Sequence, residues 1–131
     1  MNSDIKVLHI GIASREQMKA RTLAIARGQL KPGPDDPKVW FTSVESLAQV
    51  LSEKNRLLLE LIRSARPTSV AELAHLSKRA ESNLSRTLRT MERYGLVILT
   101  KVEGQREIVP EAPYGRFQVD VGLNQSLAAA A

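Results

Sequence analysis

The 131-residue sequence predicts a mainly α fold with one small β-hairpin, an α+β arrangement preceded by a strand-and-helix arm. Three observations predict it. Ser or Thr followed three residues later by Gln or Glu recurs ahead of apolar-periodic stretches (Ser14/Gln17, Thr42/Glu45, Ser69/Glu72), the pattern of capped helix starts. Residues 80–94 keep a helical period, with apolar groups on one side and arginines on the other. Two alternating runs then flank Glu103-Gly104-Gln105, a glycine-tipped turn.

Taken in order, Ile5-Lys6-Val7-Leu8-His9-Ile10 is a β-prone run ended by Gly11. A helix follows from the Ser14 cap to about Arg27, with Gly28 as its stop signal. Lys31-Pro32-Gly33-Pro34-Asp35-Asp36-Pro37 holds three prolines and a glycine, which forbid a regular helix or a central strand, so it reads as a linker. Trp40 and Phe41 anchor that linker to a core. Thr42 and Glu45 open a helix carrying Val44, Leu47 and Leu51 on one side. Ser52 caps the next, Glu53 to Ala65, whose Leu57, Leu58, Leu61 and Ile62 form the apolar face, and Arg66-Pro67 ends it. Ser69 caps a short helix that turns Val70, Leu73 and Ala74 inward; Ser77-Lys78 makes a turn, and a longer helix runs from about Ala80 to Tyr94, stopped by Gly95. Residues 96–102 and 106–109 are the hairpin strands, and 117–121 form a last strand with apolar groups at every second position. The resulting division is an arm at 1–30, a Pro-rich linker at 31–39, a main domain at 40–122 and a flexible tail at 123–131.

Capped short helix, polar turn, longer basic helix and glycine-tipped hairpin come in the order of a winged helix-turn-helix, a shape that puts one helix into the DNA major groove. With Leu84 at zero and about 100° per residue, Leu88 and Met91 fall within roughly 40° of it. Ser82, Arg86, Arg89 and Arg93 gather within about 40° of the opposite pole, flanked by Asn83 and Thr90. Small Ser82 permits close approach, Asn83 can pair bidentately with adenine and Arg86 with guanine. Arg79, Arg89 and Arg93 suit phosphates, as do Lys101 and Arg106 beside the hairpin tip. The short helix aims the free amides behind Ser69 at the backbone.

Charge agrees in placement more than in amount. The net charge is +5, and residues 1–38 and 69–106 each carry 7 basic and 4 acidic side chains, whereas 107–131 carry 1 and 3. The partners this implies are double-stranded DNA and a second copy of the chain, because one reading helix covers few base pairs. The amphipathic arm at 5–28 is the expected dimer contact. No cofactor and no catalytic residues are expected. There is no cysteine, the two histidines (His9 and His75) lack a metal-ligand spacing, and no phosphate-binding glycine loop is present. No apolar run is long enough for a membrane span, and the start lacks a signal-peptide order, so a cytoplasmic, non-enzymatic protein is expected.

Ser69-Val-Ala-Glu-Leu-Ala74, Asn83-Leu-Ser-Arg-Thr-Leu88 and Tyr94-Gly-Leu-Val97 resemble the corresponding pieces of the MarR/ArsR-type winged-helix regulators. Arg21 to Gly28, the proline segment with Trp40-Phe41, and Leu47 to Asn55 are similar to a small prokaryotic branch of MarR-like transcriptional regulators, many of them encoded in two-gene toxin–antitoxin arrangements. The resemblance covers most of residues 5–121. It implies operator binding as a dimeric autorepressor, with Ser82, Asn83, Arg86 and Arg89 at the reading positions. It also implies an alternative, an antitoxin whose main task is to cover a co-encoded toxin. The chain departs from the larger MarR proteins in lacking long terminal dimerisation helices.

Overall fold

A computed structural model describes residues 5–123. It is a mixed α/β chain in the order β1 (Val7–Ile12), α1 (Arg15–Ala26), β2 (Val39–Phe41), α2 (Val44–Val50), α3 (Glu53–Ala65), α4 (Val70–Ser77), α5 (Glu81–Arg93), β3 (Ile98–Lys101), β4 (Ile108–Glu111) and β5 (Arg116–Val121). Two compact units emerge, one of residues 7–49 with 116–123, the other of 5–6 with 50–115. This differs from the expected division into arm, linker and a domain at 40–122, and the expected tail beyond 123 lies outside the described residues.

The first unit is built on a parallel sheet in the order β2-β1-β5. Sequence reading expected a mainly α chain and missed this sheet, because its outer strands lie far from β1 along the chain. Parallel neighbours cannot be joined by a tight turn; a crossover is needed, and α1 supplies it between β1 and β2. Ile10 and Phe41 are fully buried, each contributing about 1.5–3 kcal/mol by leaving water. Gly11 is required here by space: a Cβ would land on the Trp40 ring and 2.9 Å from Pro37 Cγ.

α1 begins as expected. Ser14 Oγ accepts from the Gln17 amide at 3.1 Å, and Gln17 Oε1 accepts from the Ser14 amide at 2.7 Å, the reciprocal pair that satisfies two free donors. Its one buried residue is charged. Arg21 stacks its guanidinium 5.2 Å from the Trp40 ring centre and donates to Asp36 at 3.2 Å. Asp36 also accepts from the Gly33 amide at 2.8 Å. That bond, helped by Arg21, holds the Asp36 carboxyl below the usual carboxylate range. The expected linker is therefore a return loop tethered twice near its end: by Asp36 to α1, and by the Lys38 amide, which donates to the His9 carbonyl. α2 starts one residue later than expected. Its capping hydroxyl belongs to Ser43, which accepts from Ser46 N, and Thr42 plays no part.

The second unit packs α3, α4 and α5 against the β3–β4 hairpin. Ser52 and Ser69 cap α3 and α4 as expected. α3 turns Leu58, Leu59 and Ile62 inward and leaves Leu57 59% exposed, a face rotated by one residue from the expected one. Leu73, Leu84, Leu88, Met91 and Leu96 are wholly buried. α5 ends where glycine permits: Gly95 takes φ +77°, its amide donating to Glu92 O and the next, of Leu96, to Met91 O. The hairpin pairs Ile98 with Glu111 and Lys101 with Ile108, so its second strand begins two residues after the expected 106. Gly104 at φ +80° shapes the connecting loop.

Candidate nucleic-acid interface

Two helices and a three-residue turn position the candidate surface. α4 ends at Ser77, and Lys78 takes the left-handed conformation (φ 59°, ψ 31°), its amide donating back to Ala74 O. That reversal re-aims the chain into α5, whose stripe of Leu84, Leu88 and Met91 is buried against the unit's core. The opposite side is open. Ser82, Asn83, Arg86, Arg89 and Arg93 are all exposed, as the helical period predicts. Glu81 and Glu92 fall about 60–80° from Leu84 on the helical wheel, away from the arginine face. Ala80 provides no side-chain cap, so the first-turn amides of α5 remain free to meet an external acceptor.

Beside this end of α5 lies a cavity of about 440 Å3 whose lining includes Lys54, Lys78, Arg79, Asn83, Arg86 and Thr87. Four cations and no carboxylate line it, an environment for an anion such as a phosphate. Two of these four cations, Lys78 and Lys54, are not among the expected site residues. Lys78 was read only as a turn residue, although its place directly before the basic helix was a usable signal. Lys54 sits in the first turn of α3, and only the packing of α3 beside α5 brings it here; no local pattern reveals that.

Other expected contacts take different places. Arg79 is half-buried, donating from Nη1 to Asn55 Oδ1 at 3.4 Å and from Nη2 to Thr87 Oγ1 at 3.2 Å. Two of its five donors thus brace α3 against α5, and the side chain positions the surface as much as it lines it. Thr90 is half-buried and donates its hydroxyl proton to Arg86 O at 3.2 Å, leaving only lone pairs to offer. Ser69 Oγ accepts from Glu72 N at 3.0 Å, while the Glu72 carboxylate takes the Thr68 amide at 2.8 Å. A negative group therefore stands at the start of α4, where the sequence suggested a phosphate. Lys101 and Arg106 are exposed as expected, but Glu103 and Glu107 share the hairpin end, and charge over 101–107 balances. The cationic weight lies on α5 and the turn before it, not on the hairpin.

The HVO_A0114 family model matches residues 50–119, which span α3 to β4 and part of β5. A solved structure, that of the predicted DNA-binding transcriptional regulator from E. coli, is 22% identical over 54% of this chain and 74% of its own, with a TM-score of 0.45. No curated protein matches the chain. Among the described residues no helix is long and apolar enough to cross a membrane.

Proposed function

The chain belongs to the HVO_A0114 family, and we propose that it is a sequence-specific DNA-binding transcriptional regulator of winged helix-turn-helix type, acting as a homodimer on a palindromic operator. One observation carries the reading. The exposed arginine side of α5 continues into a carboxylate-free cationic cavity at the helix's uncapped start. Ser82, Asn83 and Arg86 are the base-reading groups, nearest the amino end that enters a groove first. Lys54, Lys78, Arg89 and Arg93 neutralise phosphates, while Arg79 holds α3 and α5 in register and adds charge. Lys101 and Arg106 touch the neighbouring backbone more weakly than a wholly basic wing would. Autorepression follows the same resemblance to MarR-like regulators.

Selection from randomised duplexes followed by footprinting tests this. A single enriched palindrome, with half-sites about one helical turn apart, is the expected result. Recovery of no motif, or binding indifferent to Arg86→Ala and Lys78→Gln alike, overturns it. A protein-interaction role has its own observation: α1 leaves Leu23 45% and Ile25 37% exposed, remote in sequence from α5. Co-purification of a neighbouring reading frame's product, lost on Leu23→Ser or Ile25→Ser, would establish that α1 contacts a second protein, such as a toxin.

A further inference from the structure

The parallel sheet ends on one side at β5, and among the described residues β5 pairs with β1 alone. Five of its six residues are exposed, including Val119 at 43% and Val121 at 45%. A six-residue open edge without lysine or proline is a template for another strand, and such edges are normally blunted or covered. The sequence on this edge is self-complementary. Laid antiparallel on a copy of itself about Gln118, Arg116-Phe117-Gln118-Val119-Asp120 sets Arg116 against Asp120 twice and Phe117 against Val119 twice, with Gln118 facing its own symmetry mate. Residues directly opposite share a face of the sheet, so the charges meet on one side and the apolar groups on the other. Moving the centre to Val119 sets Asp120 against Gln118 and loses both charge pairs. Among the described residues neither Arg116 nor Asp120 has an ion-pair partner within its own chain.

We propose that β5 is the dimer interface: two copies join through their β5 edges, antiparallel about Gln118, into one continuous six-stranded sheet. The two-fold axis makes the contact isologous, with the same residues on each side. Main-chain hydrogen bonds hold the strands together, and the paired Arg116 and Asp120 fix the register. This specifies the homodimer of the preceding section and moves its contact from the expected segment 5–28 to β5.

Because the chain has no cysteine, one introduced thiol gives an unambiguous reading. Antiparallel pairing places the two Gln118 Cα atoms within disulfide range, about 4.5–5.5 Å. Gln118→Cys in the full-length protein should convert to a covalent dimer under mild oxidation on a non-reducing gel, whereas Leu23→Cys on α1 should stay monomeric on that gel. Asp120→Arg should weaken the dimer about tenfold or more by light scattering, through two like-charge contacts, and Arg116→Asp/Asp120→Arg should restore it. Circular dichroism and melting of each variant guard against a folding defect. Failure of Gln118→Cys to cross-link, faster cross-linking of Leu23→Cys, an Asp120→Arg dimer of undiminished affinity, or a wild-type chain monomeric at tens of micromolar each overturn the proposal. No readout involves DNA, so its failure and failure of the DNA-binding reading are told apart.

Discussion

Lys78→Gly separates the folding role of the turn from its charge. Lys78 adopts φ 59° and ψ 31°, a conformation that costs an L-residue roughly 1–2 kcal/mol and glycine almost nothing. Glycine gives back part of that gain, about 0.5–1 kcal/mol, through its freer unfolded chain. The turn's amide bond to Ala74 O survives the change, since it uses the backbone alone. The net is a stabilisation of about 0.5–1 kcal/mol, raising the melting temperature by roughly 2–5 °C. Binding should move the other way. If the exposed ammonium neutralises one phosphate, its loss lowers the slope of log K against log salt by about 0.9, so the variant loses roughly threefold less affinity than the parent between 50 and 200 mM salt. Melting curves and fluorescence anisotropy on the selected operator at several salt concentrations measure both effects. A lowered melting temperature refutes the backbone argument, and an unchanged salt slope removes Lys78 from the interface.

Three further outcomes are expected. Arg86→Ala should relax preference at one operator position by about 1–3 kcal/mol with little change elsewhere, read from competition among single-base variants. Gly11→Ala should cost about 1–3 kcal/mol in urea unfolding, because its methyl group displaces Trp40 and with it the Arg21 stack. Asp36 titrates below its ordinary range in the folded chain, so its contribution is whole above about pH 5 and drains away as pH falls below about 4. Asp36→Asn should therefore be less stable than the parent at neutral pH and converge with it in acid, as thermal melts across pH would report.

The helices of the second unit were legible because their signals are local. Ser52 and Ser69 cap within three residues, Gly95 stops α5 by its own φ, and the stripe of Leu84, Leu88 and Met91 repeats within a single helix. The arginine face of α5 was legible for the same reason. What escaped is non-local. The run 117–121 could be read as a strand, but nothing within it says that its partner lies at 7–12. Trp40 and Phe41 read from the sequence as an anchor for the linker, and nothing within three residues says that Val39-Trp40-Phe41 pairs with β1. Lys54 entered the candidate site through helix packing, and Arg79 turned inward because Asn55 and Thr87 offered acceptors that sequence spacing does not display.

The sheet of the first unit is sewn from opposite ends of the polypeptide: β1 must wait for β5, which follows it by about 100 residues. During synthesis at roughly 5–20 residues per second, that interval lasts about 5–20 s, and all of residues 50 to 115 are made within it. Helices and hairpin can thus fold first, leaving β1 and β2 as a two-stranded remnant with an unfilled side. A nascent chain released early would carry finished arginine-bearing helices in one unit and, in the other, a β1 with no strand on its β5 side, the kind of unpaired edge that another chain can join.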